Sequence, residues 1–127
     1  MADNDAAENA KNPTPATPGW FDISTPDSAR TKEFYREMFG WQINSLDETY
    51  ALVSSDGGAP AGGIGQAGPD SPYLGFVAFF PVEDVETALA RAEKLGGTTA
   101  LAPTGTPDGR IAAFTDPDGN TIGLMSP

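Results

Sequence analysis

The chain has 127 residues, 39% of them hydrophobic and twelve of them aromatic, which suits a single globular core. It contains no histidine and no cysteine. That excludes imidazole and thiolate metal sites, thiol nucleophiles, Ser-His-Asp triads and imidazole acid–base chemistry. Eighteen acidic residues against seven basic ones give a net charge of −11, a field that repels nucleic-acid phosphates and anionic membranes alike.

Carboxylate chemistry, tyrosine chemistry, oxygen-donor metal chemistry and ligand binding without reaction stay open. Residues 1–18 are rich in Ala, Asn, Thr, Pro and acids and offer no apolar face, so a disordered acidic, proline-rich tail is expected. They lack the apolar core of a signal peptide. No later stretch approaches the roughly 18 apolar residues that span a bilayer, so a cytoplasmic protein is expected.

From Gly19 the pattern becomes that of a folded domain, expected over 19–127. Trp20 to Ser24 alternates as a strand, with Phe21 and Ile23 on one face and Trp20, Asp22 and Ser24 on the other. Thr25 or Asp27 caps the helix that follows. Phe34, Tyr35, Met38 and Phe39 form an apolar stripe on that helix, expected to be core, and Gly40 ends it. Strand-like runs follow at Trp41–Ser45, Thr49–Ser54 and Ala61–Gln66; the last is so glycine-rich that it needs a neighbour on each side. Gly68 to Pro72 is a linker.

The order then recurs. Tyr73–Phe80 is an apolar strand, and Val85, Ala88, Leu89, Ala92 and Leu95 mark the buried face of a second helix closed by Gly96-Gly97. Thr98–Leu101, Arg110–Thr115 and Thr121–Met125 give three further strands, with turns at Thr104–Asp108 and Asp116–Asn120. Asp116-Pro117-Asp118-Gly119-Asn120 is read as a tight turn rather than a cation loop, since its spacing is not that of an EF-hand. The fold class is therefore α+β: two consecutive βαβββ modules, about 19–67 and 73–126, forming one cupped mixed sheet with the helices outside.

Three segments carry a family resemblance. They are Trp20-Phe21-Asp22-Ile23 through Phe34-Tyr35-x-x-Met38-Phe39-Gly40-Trp41, Val82-Glu83-Asp84-Val85 through Leu95-Gly96-Gly97, and Phe114-x-Asp116-Pro117-Asp118-Gly119-Asn120-x-Ile122. Over Gly19 to Met125 the chain resembles the vicinal oxygen chelate superfamily of glyoxalase I, extradiol dioxygenases and bleomycin-resistance proteins. The resemblance places the family's metal ligands at or near Trp20, Ala61–Gly63, Val77 and Gly123. None of these carries a donor side chain, so a member without the metal site and without a cofactor is expected.

The expected ligand site is an apolar cup for a small, aromatic organic molecule, lined by Trp20, Trp41, Tyr50, Val77, Phe79, Gly123 and Met125. Arg110 either clamps an anion or carbonyl there or pairs with a surface acid. Asp22 is the one acid expected inside, as a hydrogen-bond acceptor or a general acid–base; Tyr73 is a weaker acid candidate. Two functions follow: a binding protein of the bleomycin-resistance type, for which the acidity suits a cationic ligand, or a metal-independent enzyme (isomerase, lyase or oxygenase-like) acting on a natural-product-type intermediate through Asp22. A degenerate regulatory subunit is a third. The resemblance further implies a homodimer with cups completed at the subunit interface.

Overall fold

The computed structural model describes residues 15–127. Of the tail expected over residues 1–18, only 15–18 fall within it, and these are irregular and exposed. The elements run β1 (Trp20–Thr25), α1 (Ser28–Phe39), β2 (Gln42–Ser45), β3 (Tyr50–Ser54), β4 (Gly62–Gln66), β5 (Gly75–Pro81), α2 (Val85–Lys94), β6 (Thr98–Thr106), β7 (Gly109–Thr115) and β8 (Thr121–Ser126). This is an α+β fold of two successive βαβββ modules. Among the described residues no helix is long and apolar enough to cross a membrane.

The eight strands form one sheet in the order β2-β3-β4-β1-β5-β8-β7-β6. Each module supplies four neighbouring strands, and the halves join where β1 pairs antiparallel with β5, Trp20 opposite Phe79 and Asp22 opposite Val77. Within each half the first strand pairs parallel with the last, β1 with β4 and β5 with β8. The strand period of two then separates a helix face from a cup face.

On the helix face Ile23, Val53 and Ile64 form one buried cluster, and Val85, Leu89, Ala112 and Leu124 form the other. Asp27 caps α1, its Oδ1 accepting from the Arg30 N–H at 3.1 Å, and the amide of Gly40, at φ +67°, donates back to the Arg36 carbonyl. Gln66, at the end of β4, accepts from the Ser28 amide and donates to the Pro26 carbonyl, fastening the start of α1 to the sheet.

Three expectations are corrected. The stripe on α1 is not core: Phe34, Met38 and Phe39 are each more than half exposed, and no residue of α1 is fully buried. The helix rests chiefly on β4, with lesser contact to β1 and β2, so only Tyr35 reaches the packed cluster. Leu95 also stands exposed, as the residue that caps α2 before Gly96 turns away at φ +101°. Finally β6 continues past Leu101 to Thr106, with register breaks on either side of Leu101. Pro103 is tolerated there because β6 is an edge strand, where a missing amide costs no ladder bond.

The turn at Asp116–Asn120 is as expected. The Asp116 carboxylate accepts from the amides of Asp118 and Asn120 and from the Asn120 side chain, and Gly119 alone takes positive φ.

Candidate functional site

Alternation along β1 sends Trp20 and Asp22 to the cup face, opposite the Ile23 cluster. Register then fixes their neighbours: Gly63 and Val77 flank Asp22, Phe79 flanks Trp20, and Gly123 lies beyond Phe79. The result is a cavity of about 820 Å³. Trp20, Asp22, Tyr50, Leu52, Tyr73 and Phe79 line its interior, Pro81, Val82, Ile111 and Met125 its second-module wall, and Leu46, Asp47 and residues 106–109 its mouth.

Two glycines determine the shape of the interior. A Cβ on Gly63 would fall 1.8 Å from the Tyr50 hydroxyl and 2.2 Å from Cζ. The bare β4 strand therefore lets the Tyr50 ring lie across it toward β1. A Cβ on Gly123 would likewise fall 2.5 Å from the Phe79 ring, so that ring lies flat over β8. Both glycines fall at or near positions where the resemblance places metal ligands, and both are overlaid by an aromatic side chain.

Laid across β4, Tyr50 donates its hydroxyl to Asp22 Oδ1 at 2.6 Å, and Tyr73 reaches in from the linker to donate to Oδ2 at 2.9 Å. Burial pushes the Asp22 carboxyl above its ordinary 3.8, and the two phenol hydrogen bonds oppose that rise without cancelling it. Burial also pushes both phenols well above the usual tyrosine value, with the Asp22 charge adding to the shift. At neutral pH each phenol thus keeps its proton and acts as a fixed donor. A carboxylate offers about four lone-pair sites; two are filled here, and Asp22 lines the cavity.

The residues picked from the sequence divide as follows. Trp20, Asp22, Tyr50, Phe79 and Met125 line the cavity. Val77 shares their face but is fully buried beneath it, and Gly123 lies under the Phe79 ring. Trp41 is on the helix face instead, 4.8 Å from Tyr35 and 5.3 Å from Phe21 between ring centres. Arg110 touches only the rim: it pairs with Ser126 across the ladder, on the helix face, and its guanidinium binds Glu86 of α2. It is therefore the surface partner of an acid and not a clamp inside the cup.

Leu52 and Ile111 were missed. Leu52 follows from Tyr50 by the period of two, so β3 carried the signal; Ile111 required the pairing of β7. Tyr73 was expected to open the fifth strand, but that strand begins at Gly75, and from the segment before it Tyr73 reaches Asp22, 51 residues earlier.

The cup-facing positions of β1, β4, β5 and β8 supply a single carboxylate, with both oxygens engaged. Among the described residues no three Asp, Glu, His or Cys side chains come together as a metal site would need. A hard divalent cation takes six or more oxygen ligands, or several donors with waters, so these side chains do not fit the family's metal.

Two βαβββ modules joined into one eight-stranded sheet define the class of fold. Residues 17–124 match the Glyoxalase/Bleomycin resistance protein/Dioxygenase superfamily, and the chain belongs to that family. It is 29% identical over 124 residues to the anthracycline biosynthesis proteins DauV of Streptomyces sp. (strain C5) and DnrV of Streptomyces peucetius, with 83% of the chain aligned to 45% of each relative. The chain thus spans less than half the length of the curated relatives it matches. Its fold is also that of an extradiol ring-cleaving dioxygenase from B. fuscum, with a TM-score of 0.64 at 18% identity, over 90% of this chain and 33% of that one.

Proposed function

We propose that the cup binds a planar, polycyclic aromatic molecule without a metal, stacking it among Trp20, Tyr50, Tyr73 and Phe79 and taking a hydrogen bond from it at Asp22. One observation carries this reading: four aromatic side chains surround one half-satisfied carboxylate on the walls of a cavity of about 820 Å³. Aromatic walls with a single oriented polar group are the chemistry of aromatic-ligand recognition. The relatives named for anthracycline biosynthesis support a ligand of that class.

Charge narrows the ligand further. Asp22, Asp47 and Asp108 all line the cavity, while Arg110, the one basic lining residue described, is held by Glu86. A ligand bearing a protonated amine is favoured over a neutral one, and a carboxylate is disfavoured. The test is a fluorescence titration in a Trp41→Phe background, so that Trp20 alone reports. Quenching should be tightest with a polycyclic amine, weaker with its neutral analogue and weakest with a carboxylate. Tightest binding of the carboxylate would reverse the charge argument.

The raised carboxyl pKa favours a second reading, proton transfer by Asp22 on a bound intermediate, as in an isomerase or lyase. The phenols are too weakly acidic to be the proton source and serve to orient Asp22. Incubating candidate polycyclic intermediates with the protein and with Asp22→Asn, followed by chromatography, separates the readings. A product formed only by the unsubstituted protein makes it an enzyme; unchanged ligand makes it a binder.

A further inference from the structure

The side-chain donors of the cup are few, and each is already committed. Tyr50 and Tyr73 both give their hydroxyl protons to Asp22, at 2.6 and 2.9 Å, and the indole N–H of Trp20 lies within reach of the Tyr50 oxygen. At the mouth the Thr106 hydroxyl donates to the Gly109 carbonyl at 2.9 Å. Arg110 and Ser126 pair on the helix face, where Glu86 holds the guanidinium. The amides of β1 are taken up by β4 and β5 on either side. The interior hydrogen bonds thus converge on one carboxylate, which is half-buried, lines the cavity and keeps accepting capacity.

Such an interior treats two kinds of ligand oxygen differently. A hydroxyl on a bound ring can donate to Asp22. A carbonyl oxygen in the same place has nothing to donate. It meets a carboxylate that repels it, and the two phenols that could have held it are spent. Neither phenol is easily freed. Burial and the Asp22 charge keep both protonated at neutral pH, and turning either away would break a charge-assisted hydrogen bond to a half-buried carboxylate. Sites that hydrogen-bond a ligand hydroxyl in this way reject analogues that lack it.

We infer that the cup discriminates by oxidation state, taking the hydroxyl form of a polycyclic ring and rejecting the corresponding ketone or quinone; this rests on the reading of the cup as an aromatic-ligand site. Asp22 is the specificity-determining residue, and it acts in two ways. It accepts from the ligand hydroxyl, and by occupying Tyr50 and Tyr73 it removes the donors that a carbonyl would need.

Equilibrium dialysis of the full chain at neutral pH against fluorenol, fluorenone and fluorene tests it. These share one tricyclic skeleton, bear a hydroxyl, a carbonyl or neither, and are all uncharged. Fluorenol is expected to bind at least about tenfold more tightly than fluorenone, with fluorene between them. Asp22→Ala should reverse the order, because the freed phenols then donate to the ketone. Adding Tyr50→Phe and Tyr73→Phe to Asp22→Ala should bring the affinity for fluorenone down to that for fluorene. Fluorenone bound as tightly as fluorenol, or an order unchanged by Asp22→Ala, would overturn the inference and leave the aromatic cup standing. Binding of none of the three would remove the cup and the inference together.

Discussion

Replacing Gly63 with Ala tests whether this glycine exists to seat Tyr50. The added methyl falls 1.8 Å from the Tyr50 hydroxyl, far inside any permissible contact, and Gly63 is not among the glycines with positive φ. The backbone therefore tolerates the change, the ring must swing away, and the 2.6 Å hydrogen bond to Asp22 is lost. A hydrogen bond to a charged group contributes about 1.5–3 kcal/mol. Alanine stiffens the unfolded chain and offsets about 0.4–1 kcal/mol of that. Urea unfolding followed by circular dichroism should then show a net loss of about 1–2 kcal/mol at constant m. In a Tyr50→Ala background the obstacle is gone, and the same substitution should be neutral or stabilise by up to about 1 kcal/mol. The coupling between the two sites is thus expected at about 1.5–3 kcal/mol. A coupling below about 0.5 kcal/mol would refute the steric reasoning.

Three further outcomes are expected. Gly123→Ala places a methyl 2.5 Å from the buried Phe79 ring, which must give up its seat over β8. It should cost about 1–3 kcal/mol by calorimetry, with no rescue when Tyr50 is removed. Gly40→Ala meets no atom within 4 Å but holds φ at +67°, so a backbone cost of about 1 kcal/mol is expected in urea unfolding, and an unchanged midpoint would contradict it. Asp22 gives a pH signature with a definite sign. Its native pKa lies above 3.8, so its contribution to stability is full below that value and is lost as pH rises through the native pKa. Asp47, Asp84 and Asp116 have lowered values and act in the opposite sense. They are common to the unsubstituted protein and Asp22→Asn, so the stability difference between these two isolates Asp22. That difference should fall with rising pH from about 4 upward; a flat difference would contradict the burial of this carboxyl.

Much of this architecture was legible because it rests on local periodicity. The two βαβββ modules follow from strand alternation and the Asp-to-Gly bounds of each helix, and Trp20 with Asp22 shared a face by alternation alone. What the sequence hid depends on the partners of each surface. The Phe34, Met38 and Phe39 stripe has the spacing of a core face, yet spacing does not say whether a sheet lies beneath all of it. Trp41 sits beside β2 in sequence but turns to the helix face, where Phe21 and Tyr35 receive it. Arg110 had two possible faces, and the register of β7 with β8 decided between them. The glycines of β4 and β8 read as missing ligands; only the folded arrangement lays aromatic rings over Gly63 and Gly123.

The central claim is an apolar aromatic cup that works without a metal, and isothermal titration of a planar polycyclic amine in the presence of EDTA tests it most directly. The expected result is saturable binding of one ligand per chain, unchanged by EDTA, and weakened at least about tenfold in Trp20→Ala, about 1.4 kcal/mol of lost stacking and burial. Affinity that disappears with EDTA, or that is the same in Trp20→Ala, would contradict it.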